Sequence, residues 1–343
     1  MSETLYRKYR PQKFDEVVGQ DDIVSTLKNA IKEDKIAHSY IFAGSRGIGK
    51  TSIARILASA LDISQNDLYE IDAASNRGID DIRAIREAVH TLPYESKYKM
   101  YIIDEAHMLT RDAWNALLKT LEEPPAHVIF VLATTEVEKI PETIVSRSQA
   151  FSFKKPSLST LESVIKKTAK KEGVEIDGDA ISLLALLADG SFRDAHGLLQ
   201  KAISSGNGKT VSLEDIERVT GAPKRVRVLE LVKYIIAGDA VGVVKNIGSF
   251  NADNADPKLL SRLILENLRH ILLLRIDSKC AEIIKKESGE EAYVELEKLS
   301  KEGKDTLNSG SLLELLKAFS DLDRSSEPFV QLELGLLSLV VSR

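Results

Sequence analysis

The octapeptide Gly44-Ser45-Arg46-Gly47-Ile48-Gly49-Lys50-Thr51 constrains this chain more than any other stretch. It satisfies G-x-x-x-x-G-K-[ST] and lies between an apolar run, Ser39 to Ala43, and a segment, Ser52 to Ala58, that reads as a helix. Strand, glycine-rich turn and helix form the context that a phosphate-binding loop requires. Such a turn aims backbone N–H groups at phosphate oxygens, and the helix start adds partial positive charge. Lys50 then reaches the β/γ-phosphates and Thr51 can hold a Mg²⁺. A chance match in a glycine turn would lack the flanking elements.

Composition narrows the class further. A chain of 343 residues is long enough for two or three domains with cores of their own. Its 47 Lys+Arg and 52 Asp+Glu leave a net charge of −5, which argues against a uniformly basic nucleic-acid binder but allows a local basic face. A single cysteine, Cys280, excludes an intrachain disulfide and a cysteine-based zinc site, and fits a reducing compartment. The longest apolar stretch, Leu259 to Ile276, is broken by Arg262, Glu266, Arg269, His270 and Arg275, and the N-terminus carries no signal-peptide pattern. The expectation is a cytoplasmic protein with no membrane partner.

Pattern along the chain predicts an α/β doubly wound domain with a parallel sheet, extending to about residue 156. Leu5 to Phe14, basic and interrupted by Pro11, reads as an extended arm. Helical spacing follows over 21–32, 52–61, 80–90 and 111–122, the last stopped by Pro124-Pro125. Between these lie strand-like runs at 39–43, 68–72, 100–105 and 128–133; the last is apolar throughout, as in a strand buried on both faces. From Ser157 onward no strand is expected. Residues 157–221 read as a small helical bundle, with Ser212-Leu213-Glu214-Asp215 as a capping signature, and 222–343 as an all-α domain of leucine-rich amphipathic helices.

Downstream of a phosphate-binding loop, two carboxylates that end a strand have a specific meaning. Asp104 would hold the Mg²⁺ and Glu105 would orient and polarise the attacking water. His107 completes an Asp-Glu-Ala-His string but is given no role, since a lone histidine is more often structural. Thr134-Thr135 could sense a γ-phosphate or be ordinary turn residues. Arg147 and Arg193 are candidates for neutralising phosphate charge, with surface ion pairing as the alternative for each.

Several longer segments bear a resemblance to a known family. These are Tyr9 to Gln20, Ala37 to Phe42, Glu70 to Ser75, Ile103 to Leu109, Asn115 to Pro125 and Leu132 to Thr135, together covering residues 5 to about 200 in the family's order. The chain resembles the ATPase (gamma/tau) subunits of the bacterial DNA polymerase III clamp loader, which are AAA+ proteins. The resemblance implies ATP and Mg²⁺ as ligands, with a RecA-like ATP-binding domain at 1–156, a helical lid at 157–221 and an oligomerisation collar at 222–343. Residue by residue, it places Arg10, Pro11, Val17 and Val18 on the adenine, the octapeptide with Ser52 on the phosphates, and Asp104 and Glu105 as the Walker B carboxylates. Thr135 matches sensor 1 and Arg193 sensor 2, while Arg147 matches a finger that reaches ATP on a neighbouring subunit. Ser75, Asn76 and Arg77 match a segment that touches the backbone of primed DNA, with a solvated turn as the other reading.

The implied partners are delta and delta-prime type subunits, further copies of this chain, the sliding clamp and primed DNA. Two departures stand out. Only Asp62 to Tyr69, eight residues without cysteine, occupy the place where the family usually inserts a four-cysteine zinc module, so no zinc is expected. Ser148 stands where the arginine-finger motif has cysteine. Ending after the helical third domain, the chain resembles the short gamma form. A non-hydrolysing delta-prime-like scaffold and another AAA+ DNA-remodelling ATPase such as a helicase are the alternatives; intact Lys50, Thr51, Asp104 and Glu105 speak against the first.

Overall fold

The computed structural model describes residues 3–76, 78–206, 209–277, 280–302, 307–320 and 322–341. By packing, the chain divides into two compact units, one of residues 1–172 with 188–200 and the other of 173–187 with 201–343. The segment 157–221 is thus shared between them.

The first unit is built on five parallel strands, β1 (Ser39–Ala43), β2 (Leu68–Asp72), β3 (Lys99–Asp104), β4 (Val128–Thr134) and β5 (Gln149–Ser152), in the order β2-β3-β4-β1-β5. Alternation of side chains sorts the strand residues onto two faces. Tyr40, Phe42, Ile102 and Val131 face one core, filled by Ile23 and Leu27 of α2 (Asp21–Lys32) and by Ile53 and Leu57 of α3 (Lys50–Ala60). Ile41, Ile103, Phe130 and Leu132 face the other, filled by Ile82 of α4 (Ile79–Ala88) and by Trp114 and Leu117 of α5 (Arg111–Glu122). Every residue of β4 is buried, which explains why its sequence lacks a polar face. Helix starts are set locally. Thr110 accepts the Ala113 N–H at the start of α5, and Ser157 accepts the Thr160 N–H at the start of α7 (Leu158–Lys171).

The arm before the sheet is not extended throughout. Thr4 accepts from Arg7 and Lys8, closing a single turn, α1 (Leu5–Lys8), before Pro11 ends it. One turn cannot produce a readable helical period, and Pro11 dominates the local pattern. The edge strand β5 is similarly silent in sequence, being short and polar. Of the remaining elements, α6 (Glu142–Val145) precedes β5, and α9 (Phe192–Ser205) begins in this unit.

The second unit contains α8 (Gly178–Leu187), α10 (Leu213–Thr220) and the helices α11 (Arg225–Ala237), α12 (Ala240–Ala252), α13 (Pro257–Ile276), α14 (Ala281–Ser288), α15 (Glu290–Ser300), α16 (Ser309–Phe319) and α17 (Pro328–Val341). Ser212 and Asp215 form a reciprocal capping box at the start of α10, and Pro257 opens α13 behind the Asp256 cap. Val232, Ile264, Leu296 and Leu336 meet in its core. Two short parallel strands, β6 (Glu175–Ile176) and β7 (Thr210–Val211), contradict the expectation of no strand after Ser157. Two residues are too few to show a period of two. Among the described residues, no helix is long and apolar enough to cross a membrane.

Candidate nucleotide site

The loop after β1 leaves the sheet beside the end of β4, where the Gly44 N–H donates to the Thr134 carbonyl at 3.1 Å. Gly47 and Gly49 then adopt φ of +75° and +104°, values that L side chains rarely tolerate. Gly49 is also the residue before α3 and caps it with no side chain. The first N–H groups of an eleven-residue helix are therefore left to a ligand, and an anion suits them.

Lys50 is buried, and its Nζ donates to the Gly44 and Ser45 carbonyls at 2.7 and 2.8 Å. Burial pushes its pKa down, opposed by the nearby charges of Glu105 and Asp104. Thr51 Oγ1 donates to Asp104 Oδ2 at 2.8 Å, joining the first turn of α3 to the end of β3. Glu105 sits at φ +49°, its N–H donating to Asp104 Oδ1 at 3.0 Å, and Thr135 Oγ1 reaches its Oε2 at 3.4 Å. This non-glycine residue in the left-handed region turns the chain out of the strand at the point where the carboxylate is needed.

Arg10 reaches the same helix from the N-terminal arm, its Nε donating to Ser52 Oγ at 3.1 Å. Burial lowers its pKa first, and the positive Arg55 adds to this. Val17 is half-buried against the sheet, Pro11 is half-buried, and Val18 is exposed. Arg193 is the second residue of α9, whose start rests on the loop: the Phe192 N–H donates to the Gly47 carbonyl at 2.9 Å. Ser45 and Arg46 are exposed, and Ile48 is buried in the core beneath. The fold thus brings together residues 44–52, Arg10, Asp104, Glu105, Thr135 and Arg193.

Other predicted positions lie elsewhere. Arg147 donates to the Thr143 carbonyl at 2.9 Å and pairs with Glu122 at 3.1 Å. It precedes β5, whose Gln149 is in register with Tyr40 near the start of β1. The phosphate loop follows the far end of β1, about 13 Å further along at ~3.3 Å per residue. Ser75 and Asn76 leave the sheet on the same edge as the loop, since Asp72 is in register with Asp104. Both are exposed and bonded to Asp72. Arg77 lies outside the described residues.

Three tertiary contacts escaped sequence reasoning. Gln20 makes both of its amide bonds to the Lys154 backbone, at 2.7 and 3.1 Å, tying the arm to the chain just beyond β5. Asp67, fully buried, accepts N–H groups from Glu95 and Ser96 at 3.0 and 2.9 Å and from Tyr94. His107 lies beside Glu105; its only sequence signal was the Asp-Glu-Ala-His string.

The donor set fits a nucleotide with a hard cation. One hydroxyl and one carboxylate, Thr51 and Asp104, already in contact, are the protein share that Mg²⁺ ordinarily takes when phosphates and waters complete its shell. Among the described residues no cluster of three or more His, Cys, Asp or Glu could hold a metal without such help.

Comparison with known proteins places this geometry. Residues 19–75 and 62–157 match the model for DNA polymerase III, delta subunit, and 160–208 match the DNA polymerase III clamp loader subunit, ATPase lid domain. Residues 211–343 match DNA polymerase III subunits gamma and tau domain III. DNA polymerase III subunit gamma of Buchnera aphidicola is 35% identical over 292 residues, 79% of this chain and 80% of that protein. The chain belongs to the DNA polymerase III gamma/tau family. Within that family, subunit tau of Bacillus subtilis is 38% identical over 86% of this chain and 56% of its own length. Subunit tau of Escherichia coli is 37% identical over 80% of this chain and 46% of its own length. The chain therefore spans about half the length of several gamma/tau relatives. The Thermotoga maritima RuvB Holliday junction branch migration motor shares the AAA+ fold, with a TM-score of 0.53 over 66% of this chain and 79% of that one at 22% identity.

Proposed function

We propose that this gamma/tau family member is an ATP-driven motor subunit of a sliding-clamp loader, binding and hydrolysing ATP to open the clamp and place it on primed DNA in the cytoplasm. The observation that carries the reading is the Thr51–Asp104 contact with Glu105 beside it and Lys50 buried beneath. A scaffold that only bound nucleotide would have no need of the water-activating Glu105.

Mg²⁺, held by Thr51 and Asp104, would neutralise charge on the phosphates. Lys50 exchanges its two loop carbonyls for phosphate oxygens, and the free N–H groups of α3 bind the same anion. Glu105, fixed by Thr135, orients the attacking water and receives its proton. Arg193 is supplied from the start of α9, close to the Gly47 turn. Arg147, on the other rim of the sheet, serves the site of a neighbouring copy. The domains run 1–156, 157–221 and 222–343, and the last is a collar. Val226, Val241, Leu313 and Leu334 lie 58–78% exposed on its helices, apolar surface suited to neighbouring subunits.

The test combines the chain with delta and delta-prime type subunits, clamp and primed DNA, reading assembly by light scattering and turnover by phosphate release. Turnover should require both clamp and DNA, and Lys50→Ala should abolish nucleotide binding or turnover. Turnover stimulated by DNA alone would indicate a helicase-type motor instead.

A further inference from the structure

The imidazole of His107 is buried within the site, its side chain 8% exposed, and its polar partners lie around Glu105 and the end of β4. Its Nδ1 lies 3.1 Å from Thr134 Oγ1 and 3.6 Å from Glu105 Oε2, and its Nε2 lies 3.3 Å from Glu136 Oε1. Thr134 is fully buried and its Oγ1 also accepts the Glu136 N–H at 3.0 Å, while Lys139 pairs with Glu136 at 2.7 Å. The ring is therefore held from both sides by the residues that flank Thr135.

The distances limit what this ring does to Glu105. The Glu136 carboxylate only accepts, so Nε2 is the ring nitrogen that donates toward it, and Nδ1 faces Thr134. Nδ1 is hydrogen-bonded to the Thr134 hydroxyl. It offers nothing to Glu105 Oε2, which at 3.6 Å is beyond hydrogen-bonding distance. Glu105 Oε2 is thus walled by His107 on one side and bonded by Thr135 on the other, which leaves Oε1 as the oxygen available to a substrate water.

We propose that His107 is a positioning residue for hydrolysis. It fixes the Glu105 carboxylate in the orientation that accepts a proton, and it ties that orientation to the end of β4 that carries Thr135. This rests on the reading of Glu105 as the residue that activates water. The polar partners of His107, Thr134, Glu105 and Glu136, all lie outside residues 44–52, so ATP affinity should be independent of it.

The test uses the full chain assembled with its partner subunits, clamp and primed DNA, measuring kcat and KM by phosphate release, ATP affinity by a fluorescent analogue, and Tm. His107→Ala should lower kcat by about 10- to 100-fold, within the range of a mispositioned general base, while analogue affinity changes less than about twofold. His107→Asn, whose amide occupies the Nδ1 position and can bond Thr134, should recover most of the lost kcat. An unchanged kcat in His107→Ala would overturn the proposal. So would parallel losses of affinity and Tm that His107→Asn fails to repair, because those mark a purely structural residue. Wild-type phosphate release no greater than that of Lys50→Ala would overturn the hydrolytic reading itself, and this inference with it.

Discussion

Gly47 is where the phosphate loop and the start of α9 meet, and alanine there tests whether the two act as one body. A Cβ at Gly47 would lie 2.1 Å from Ser191 Oγ, 3.1 Å from Ser191 Cβ and 3.3 Å from Arg193 Cβ. The backbone φ of +75° costs an L residue about 1–2 kcal/mol. Ser191 Oγ cannot move freely, because it accepts the Asp194 N–H at 3.1 Å and so caps α9; displacing it costs about 1 kcal/mol more. The sum, about 2–3 kcal/mol, falls on the arrangement that binds phosphate. At 1.4 kcal/mol per tenfold, it corresponds to a loss of ATP affinity of about 30- to 150-fold. Titration with a fluorescent ATP analogue reads this directly. Ser191→Ala removes both the hydroxyl and the cap, so adding Gly47→Ala to it should cost chiefly the backbone strain, about 1–2 kcal/mol. A Gly47→Ala chain that binds ATP as tightly as the wild type would refute the coupling. Equal costs of Gly47→Ala in the two backgrounds would show that Ser191 plays no part.

The remaining predictions concern Asp67 and Arg147. Burial alone would raise the Asp67 pKa, but the N–H groups of Tyr94, Glu95 and Ser96 outweigh it and bring it from 3.8 to about 2. A carboxylate depressed in the folded state stabilises fully above pH 3.8 and loses that contribution as pH falls toward 2. Asp67→Ala, which strands those donors, should cost about 2–3 kcal/mol and flatten the acid limb, monitored in urea by fluorescence of the single tryptophan, Trp114; an unaltered acid limb would contradict this. Arg147→Ala should leave ATP affinity intact and lower turnover of the assembled complex by about 10³-fold, and unchanged turnover would remove it as a finger in trans.

Much of the first unit was legible in the sequence because its signals are local. The ranges expected for α2, β1, β2 and α5 coincide with the elements observed; β1 ends at the glycine turn, and α5 runs from the Thr110 cap to Pro124-Pro125. Asp104 and Glu105 could be paired with Lys50 and Thr51 because a parallel sheet puts strand ends on one edge. Short elements escaped: α1, β5, β6 and β7 are two to four residues each, too brief for periodicity to distinguish them.

The sequence by itself determined the phosphate loop, the carboxylates, the alternation of strand and helix and the helices that follow residue 212. Those features depend on residues close together in the chain. Only the tertiary structure decided which side chains share a site. It brought Arg10 onto Ser52 across forty-two positions, set the start of α9 on Gly47, and left Arg147 on the opposite rim. It also turned His107, in sequence a residue without a role, into a buried bridge between Thr134 and Glu136. Hydrogen bonds and close packing between distant segments depend on sheet order and register, which no local pattern encodes.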